Sequence, residues 1–426
     1  MSGQNPSQAP GAGAFRFLII AVALDMIAGS IVIPITPKLV QELAGGGAAE
    51  GARWIGVFVA AWAAMQFVFA PIVGALSDRF GRRPVILLSM AGLAADSVLI
   101  ALAPTLGWIL AARLISGVLA ATMATANAYI ADVTPQEGRA ARFGLLGAAW
   151  GVGFVVGPAI GGLLGELGPR APFWGSAIMA GANFIYGFFV LPESLPKEHR
   201  AKLTIRHANP FGAVSFFGQS PAFAALGVVM FLTALSGQVL QGTWIPYVNY
   251  RYHWPTWLMG ASLAAVGASY IFVQTFVVGR FVARFGELMA VFVSLLGVAL
   301  AYVIYAAAPW TWLFFAAIPI FALSGVGVPG MQSLMTRMVP PTQQGRLQGA
   351  RAGLSAIAGV GGPMLFTETF ARAVSDWRAW APPGLAFYLS ASLLVVAFMV
   401  AFAATRGPTW RQETTAATMA AEGEGS

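Results

Sequence analysis

Residues 74–84 read Gly-Ala-Leu-Ser-Asp-Arg-Phe-Gly-Arg-Arg-Pro, and part of this stretch recurs 205 residues later. Residues 279–286 read Gly-Arg-Phe-Val-Ala-Arg-Phe-Gly, so a glycine, four residues and then Arg-Phe-Gly occur in both copies. The pair Gly157-Pro158 recurs at the same offset as Gly362-Pro363. Because two unrelated features share one offset, we interpret the chain as two related halves.

The composition is that of a membrane protein. Of 426 residues, 58% are hydrophobic and 9% are charged, whereas a soluble domain has about 25% charged residues. A membrane-spanning helix needs about 20 apolar residues, so twelve such helices would use about 240 residues. These numbers exclude an ordinary cytosolic enzyme and predict an all-α polytopic membrane protein.

Several kinds of chemistry are excluded or disfavoured by the residues themselves. The chain has no cysteine, and its three histidines lie outside the most apolar segments, so we expect neither disulfides nor a metal centre. Neither a dinucleotide-binding nor a P-loop glycine pattern is present, and no catalytic triad can be assembled. We therefore expect no enzyme activity and no cofactor, with an ion gradient as the energy source. The net charge of +8 arises mostly from cations at helix ends, which disfavours nucleic-acid binding.

Apolar segments predict twelve spans in two bundles of six, the paired-repeat architecture of secondary transporters. The spans are predicted at about 15–40, 54–76, 84–103, 106–130, 140–165, 172–192, 221–248, 256–279, 287–308, 310–336, 346–370 and 382–404. The predicted organisation is an N-terminal tail (1–14), a six-helix bundle (15–192), a central loop (193–220), a second bundle (221–404) and a C-terminal tail (405–426).

Lysine and arginine predict the orientation in the membrane. With the N-terminus in the cytoplasm, most of the 24 basic residues fall on the cytoplasmic side, as the positive-inside rule requires. Basic residues on the outer side are then Lys38, Arg53, Arg170, Arg251, Arg372 and Arg378. We therefore expect both termini in the cytoplasm and a bacterial inner membrane as the location.

Three motifs resemble a known family. Residues 74–84 resemble the loop between helices 2 and 3 of the major facilitator superfamily. Arg113-Leu-Ile-Ser-Gly117 resembles the buried-arginine motif of that superfamily's drug:proton antiporters with twelve helices. Their helix 5 antiporter motif is matched by Gly144, Gly153, Gly157, Pro158, Gly161 and Gly162.

The resemblance is closest to the tetracycline efflux pumps and covers roughly residues 17–404. It is carried by Leu24-Asp25 with Pro34 and Pro37, Met65-Gln66 with Pro71, Gly237-Gln238, Gln274, and Pro329 with Gln332. The chain departs from those pumps at Tyr270, where they commonly have a histidine, and at Val298, near which they have an acid. The resemblance implies the transporter family, while these two departures leave tetracycline itself open as the substrate.

Three ionisable residues lie well within predicted spans: Asp25, Asp96 and Arg113. A charge at the bilayer centre costs about 2.5–3.5 kcal/mol, so such residues face a cavity, form pairs or bind a proton. We assign Asp25 as the site that exchanges a proton for substrate, with a hydrogen bond to a neighbouring helix as the alternative. Asp96 is either a proton relay or a packing residue. Arg113 is a fixed charge beside an acid or a helix 1 carbonyl, or else a structural partner.

Polar side chains in apolar spans are the substrate-binding candidates, although buried amides can also bridge helices. They are Gln66, Asn127, Gln238, Gln241, Tyr270, Gln274 and Gln332. Asn127 follows Arg113 by 14 residues, which places both near one face of an uninterrupted helix. Amides with few fixed charges suit an amphipathic, neutral or weakly cationic molecule.

The helix 5 glycines and the loop at 74–84 have structural and functional interpretations. Gly153, Gly157 and Gly161 form a small-residue stripe for close helix packing, and the complete motif implies antiport. The loop arginines control topology, and the resemblance implies that they form a cytoplasmic latch between the halves. The gating candidates are Gly74, Asp78, Arg79, Gly81, Arg82 and Arg83.

Together these features predict a proton-coupled efflux antiporter for a drug-like amphipathic molecule, acting as a monomer in the lipid bilayer. A proton-coupled metabolite importer of the same fold is the first alternative, which the helix 5 motif disfavours. A membrane receptor or scaffold that does not transport is the second, which the short predicted tails disfavour.

Overall fold

A computed structural model describes residues 12–134, 138–196, 198, 200, 216–339 and 343–407. These residues form helices joined by turns and contain no strand. Most of the predicted tails and of the central loop lie outside the described residues.

Eight α-helices are described before residue 200. They are α1 (Ala12–Ile31), α2 (Thr36–Ala44), α3 (Ala48–Phe80), α4 (Arg82–Ala101), α5 (Leu106–Leu119), α6 (Thr122–Val133), α7 (Arg139–Gly165) and α8 (Ala171–Val190).

The part described from residue 216 onward begins with a short 3-10 helix, Phe217–Gln219, and contains a π-helical turn, Val273–Val277. Its α-helices are α9 (Pro221–Gly237), α10 (Val239–Tyr252), α11 (Thr256–Phe272), α12 (Val278–Ala307), α13 (Thr311–Ala316), α14 (Ile318–Ala322), α15 (Ser324–Arg337), α16 (Gln344–Val374) and α17 (Leu385–Arg406).

The helices account for the predicted spans. Ten helical segments of the described chain are long and apolar enough to cross a membrane. One of them, Thr256–Ala307, has 52 residues and contains two predicted spans. The remaining predicted span falls on α16, which has 31 residues but carries arginine and glutamate side chains that lower its hydropathy. The prediction of an all-α polytopic membrane protein is confirmed.

Several predicted spans are interrupted rather than continuous. The first ends at Ile31 and resumes after a turn as α2, where Pro37 occupies the first helical turn. The fourth breaks between α5 and α6 at Ala120 and Ala121. Hydropathy does not register such breaks, because an apolar residue has the same hydropathy inside and outside a helix.

Contacts between the helices divide the chain into two compact units. Unit 1 comprises Met1–Gly45, Ala61–Ala208 and Trp254–Gly267, and unit 2 comprises Gly46–Ala60, Asn209–His253 and Ala268–Ser426. The units follow the two predicted bundles except for residues 46–60 and 254–267, and the bundle boundaries stay a prediction.

In unit 1, α1 packs against α7 and α8, while α4 packs against α8, α5 and α6. Its core contains the buried side chains of Leu18, Val22, Met90, Tyr129 and Ile130.

Unit 2 has an aromatic core. Trp244, Tyr247, Tyr305, Phe314 and Phe387 are fully buried there and meet mostly edge to face, the arrangement that ring quadrupoles favour. Residues 46–60 join this unit through α16, because Arg53 Nε donates to Glu368 Oε2 at 3.0 Å.

The duplication predicted from sequence has a backbone counterpart. Gly81 has φ 109° and Gly286 has φ 80°, which is a conformation that side chains with a Cβ rarely adopt. The two glycines end the two related motifs, and Pro158 and Pro363 both lie inside long helices. Positions 205 residues apart therefore share backbone conformation or helix location as well as residue type.

Candidate functional site

Asp25 is a buried acid on α1. The residue is 4% exposed, and its Oδ1 has no hydrogen-bond partner among the described residues. The hydroxyl of Thr122, at the start of α6, lies beside the carboxyl. The contact with Thr122 matches the helix-bonding interpretation, while the unpaired oxygen leaves a position for a proton.

The glycine stripe of α7 allows α1 to approach closely. A Cβ added at Gly153 would clash with Met26, one at Gly157 with Ser30, and one at Gly161 with the Ile31 carbonyl. Ser30 Oγ also donates to the Gly153 carbonyl at 2.8 Å. The stripe therefore holds α7 against the half of α1 that follows Asp25.

The remaining residues of the helix 5 motif have different surroundings. A Cβ at Gly162 would lie 2.9 Å from the Thr256 carbonyl oxygen, and a Cβ at Gly260 would clash with the Pro158 carbonyl. Gly144, in contrast, has no neighbouring atom within 4 Å of an added Cβ. The motif thus packs one face on α1 and another on α11, with Gly144 outside both contacts.

Asp96 and Arg113 form an ion pair between α4 and α5. The Asp96 side chain is 3% exposed and that of Arg113 is 24% exposed. Arg113 is thus a fixed charge beside an acid, and a helix 1 carbonyl is not among its described hydrogen bonds. Asp25 differs from Asp96 because no described cation pairs with it.

The break between α5 and α6 alters the argument for Asn127. The prediction that Arg113 and Asn127 lie on one uninterrupted helix is wrong, because the backbone leaves helical geometry at Ala120 and Ala121. Asn127 is exposed and donates from Nδ2 to the Met123 carbonyl at 2.9 Å. Its assignment as a substrate residue stays a prediction without that geometric support.

Gln66 forms a hydrogen bond at the same break between α5 and α6. Its Nε2 donates to the carbonyl of Ala120 at 3.1 Å, an acceptor that the interruption of the helix leaves available. Gln66 therefore bridges α3 to the α5–α6 break, and it also lines a cavity.

That cavity has a volume of about 230 Å³. Gln66 lines it together with Gly74, Asp78 and Arg82, and alanine and glycine residues of α3, α5, α6 and the α5–α6 break form much of its wall. The structure thus brings one predicted substrate residue and three predicted gating residues around one cavity inside unit 1.

Arg82 is the centre of the charged loop. It pairs with Asp78, and its Nε donates to Asp132 Oδ2 at 3.0 Å. The neighbouring Arg83 donates to the Phe188 carbonyl, and Arg79 lies over the Phe80 ring at 5.3 Å. These described contacts are all internal to unit 1, and the role of a latch between halves stays a prediction.

Two acids of this network were missed by the sequence interpretation, Asp132 and Glu193. The backbone N–H groups of Arg82 and Arg83 donate to the Glu193 carboxylate at 2.8 and 3.3 Å. A carboxylate is favoured there because these groups form the N-terminus of α4. The only signal for either residue was an acid near the end of a predicted span.

Two predicted substrate residues of unit 2 come together. A Cβ at Gly325 on α15 would lie 3.2 Å from Gln274 Oε1 and 3.3 Å from Tyr270 Cε2. Gln274 lies in the π-helical turn, a feature frequent at functional sites.

The other candidates of unit 2 are not joined to this pair by any described contact. Gln238 lies at the α9–α10 break beside Gly362, and Gln241 and Gln332 are exposed on α10 and α15. Val298, the second position at which the sequence predicts a departure from the tetracycline pumps, is buried on α12.

Comparison with known proteins identifies the family. The sequence profile of the Major Facilitator Superfamily matches residues 18–363. The chain belongs to the major facilitator superfamily. Since this is a family of membrane transporters, the predictions of a transporter rather than an enzyme, and of a multi-pass membrane protein, are confirmed.

Relatives within the superfamily are tetracycline resistance proteins. The class C protein of Escherichia coli is 37% identical over 393 residues, covering 92% of this chain and 96% of the relative. The class G protein of Vibrio anguillarum is 35% identical, covering 85% of this chain and 91% of the relative. The predicted resemblance to tetracycline pumps is confirmed as a similarity between sequences.

Solved structures of the superfamily share the fold. The nucleoside transporter NupG has a TM-score of 0.75 at 12% identity, covering 92% of this chain and 99% of its own. The human organic anion transporter MFSD10 has a TM-score of 0.67 at 22% identity, covering 93% of this chain and 100% of its own. The predicted major facilitator fold is confirmed.

Proposed function

We propose that this protein is a proton-coupled antiporter that exports an amphipathic, drug-like molecule by alternating access. The observation that carries the proposal is Asp25, a buried acid without a described cationic partner in a chain of this transporter family. Burying an isolated charge is unfavourable, and either a proton or a bound cation removes that penalty. One carboxyl can therefore alternate between the two.

In this cycle a proton enters from outside and neutralises Asp25. The neutral carboxyl binds an amphipathic cation less tightly, so the substrate leaves and the protein resets toward the cytoplasm. Arg113 pairs directly with Asp96, and Asp25, which has no described cation beside it, is the group that exchanges in this proposal. A ligand shifts such an equilibrium only by its differential affinity for the two states.

Tetracyclines are the first candidates for the substrate, because the relatives are tetracycline resistance proteins. The amide of Gln274 and the ring of Tyr270 suit an amphipathic molecule, and they lie side by side on Gly325. Val298 supplies no charge, so recognition in unit 2 rests on amide, hydroxyl and aromatic groups.

The proposed setting is the inner membrane of a bacterium, with both termini in the cytoplasm and the protein acting as a monomer. The excess of lysine and arginine in the loops assigned to the cytoplasm supports this orientation. The proton gradient supplies the energy, and no cofactor is required.

Inside-out membrane vesicles test the proposal. With an acidic lumen, the unaltered protein should accumulate tetracycline, or another amphipathic drug from a panel, and an uncoupler should abolish accumulation. Asp25→Asn should retain at least part of the substrate binding but lose gradient-driven accumulation by at least about 100-fold, the scale of a lost proton-transfer group. Substrate binding in detergent and vesicle uptake measure the two effects separately.

Asp376→Asn is the matched control, because it makes the same chemical change at a carboxyl that is 70% exposed. It should transport normally. Full proton-coupled transport by Asp25→Asn would contradict the proposal. Drug movement only out of the lumen would instead indicate an importer.

A further inference from the structure

Two buried polar residues of α8 hold the backbone of α1 on either side of Asp25. Asn183 Nδ2 donates to the Ala21 carbonyl at 2.9 Å, and Ser176 Oγ donates to the Ala28 carbonyl at 2.7 Å. Both side chains are 0% exposed. Asp25 therefore lies between two fixed points, one turn after the first and just under one turn before the second.

The spacing of these contacts is matched on the two helices. Ser176 and Asn183 are seven residues apart on α8, and so are Ala28 and Ala21 on α1. Seven residues make almost two full turns, so each helix presents its two groups along one face. A paired contact of this kind fixes both the axial position and the rotation of α1, which a single hydrogen bond does not do.

A third side chain extends the contact to α4. Ser97 Oγ and Ser176 Oγ are 2.8 Å apart and both buried. A hydroxyl has one proton and donates one hydrogen bond. Since Ser176 Oγ donates to the Ala28 carbonyl, Ser97 Oγ is the donor in its contact with Ser176 Oγ. Ser97 directly follows Asp96, so the chain of hydrogen bonds runs from the helix of the paired acid to the helix of the unpaired acid.

Packing alone does not require these residues. Alanine and leucine fill buried positions between membrane helices without desolvating a hydroxyl or an amide, and unpaired polar groups in hydrocarbon are costly. The Oδ1 of Asn183 is buried without a described partner, so this residue carries an unsatisfied acceptor in order to place its donor on α1.

We propose that Ser176 and Asn183 are positioning residues that set the location of the Asp25 carboxyl, an inference that rests on the coupling role proposed for Asp25. Functional groups must be held within about 0.5 Å of their working geometry by surrounding contacts. The hydrogen bonds from Ser176 and Asn183 supply that constraint on the side of α1 that does not contact the α7 glycines.

A single-cysteine experiment tests the location directly, because the chain contains no cysteine of its own. Asp25→Cys is labelled with N-ethylmaleimide and the rate is followed by mass spectrometry. Adding Ser176→Ala or Asn183→Leu should change this rate by about threefold or more, since the position of residue 25 is no longer constrained. Ser176→Thr keeps the hydroxyl and should label at the original rate.

Ser390→Ala is the matched control. Ser390 is a 0% exposed serine on α17 whose Oγ donates to the Ser236 carbonyl at 2.8 Å, and it lies in unit 2. It should leave the labelling of Asp25→Cys unchanged. Unchanged labelling in both test variants, or an equal change with Ser390→Ala, would overturn the proposal.

Transport gives a second measurement in proteins that retain Asp25. Ser176→Ala and Asn183→Leu should lower the maximal rate about tenfold and change KM by a smaller factor, because Asp25 is the only proposed substrate contact that they displace. If Asn183→Leu does not fold, the pair Ser176→Ala and Ser176→Thr decides the question. Labelling needs no transport, so a failure of the proposed function is distinguishable from a failure of this inference.

Discussion

At the scale of single residues, the two buried acids of unit 1 have opposite surroundings. Both acids have one carboxyl oxygen without a described hydrogen-bond partner, but Asp96 forms an ion pair with Arg113, whereas no described cation pairs with Asp25. The pair neutralises itself, since two opposite charges in contact recover much of what their burial costs. An acid without a paired cation has no such compensation, which is why we propose Asp25 as the group that exchanges a proton for a cation.

Removing one member of the Asp96–Arg113 pair should be destabilising. Arg113→Gln leaves a carboxylate that is 3% exposed, and we expect the free energy of unfolding to fall by about 3 kcal/mol. Asp96→Asn should lower it less, because the arginine that remains is 24% exposed. Thermal unfolding in detergent measures both changes, and the double variant should recover most of the loss. Two stable single variants would contradict the pairing.

At the scale of elements, α1 is held by two neighbours in different ways. The glycine stripe of α7 lets backbone meet backbone, as small residues do in membrane helices, while α8 uses two side-chain donors. The tight contact with α7 leaves no space for a Cβ at Gly161, so α7 is sensitive to substitutions that a free helix would accept.

Gly161→Ala should therefore destabilise the protein, whereas Gly144→Ala should stabilise it. At Gly161 the added methyl group meets the Ile31 carbonyl, and overpacking of this kind costs about 1–3 kcal/mol. At Gly144 there is open space, and alanine should stabilise the helix by up to about 1 kcal/mol. Melting temperatures of the two variants compare them directly, and equal shifts would show that α1 and α7 do not pack as described.

At the scale of the whole molecule, the duplication preserves an ion pair with reversed charges. In unit 1, Arg82 follows the left-handed Gly81 and pairs with Asp132 at 3.0 Å. The residues 205 positions later are Glu287 and Arg337, which pair at 2.8 Å in unit 2. Each pair joins the residue that follows a positive-φ glycine to the end of the next membrane-spanning segment. The ion pair is therefore present in both units, with the acid and the base exchanged.

Exchanging the charges of the unit 2 pair should therefore be tolerated. Glu287→Arg with Arg337→Asp copies the residues of unit 1 and should transport within about twofold of the unaltered protein, because opposite charges still meet and the side chain at position 337 is 70% exposed. Glu287→Arg alone places two arginines together and should reduce the transport rate more than the double variant does. Vesicle uptake measures all three proteins, and a double variant as impaired as the single one would refute the equivalence.

Features set by residues close together in the chain were predictable from the sequence, whereas features set by contacts between distant residues were not. Hydropathy located the helices, and the shared offset of 205 residues located the duplication, because both are properties of local runs of residues. The interruption at Ala120 was not predictable, since alanine favours a helix and the break is accommodated by Gln66 from another helix. Glu193 and Asp132 were missed for the same reason, as their partners are distant in the chain.

Composition and short motifs are sufficient to assign the membrane class, the family and the charges within the bilayer, because these properties need no tertiary contacts. Which of those charges are paired depends on the fold: Arg113 lies against Asp96, and Asp25 has no described cation beside it. The energy of a buried charge depends on neighbours within a few ångströms, and those neighbours come from helices far apart in the chain.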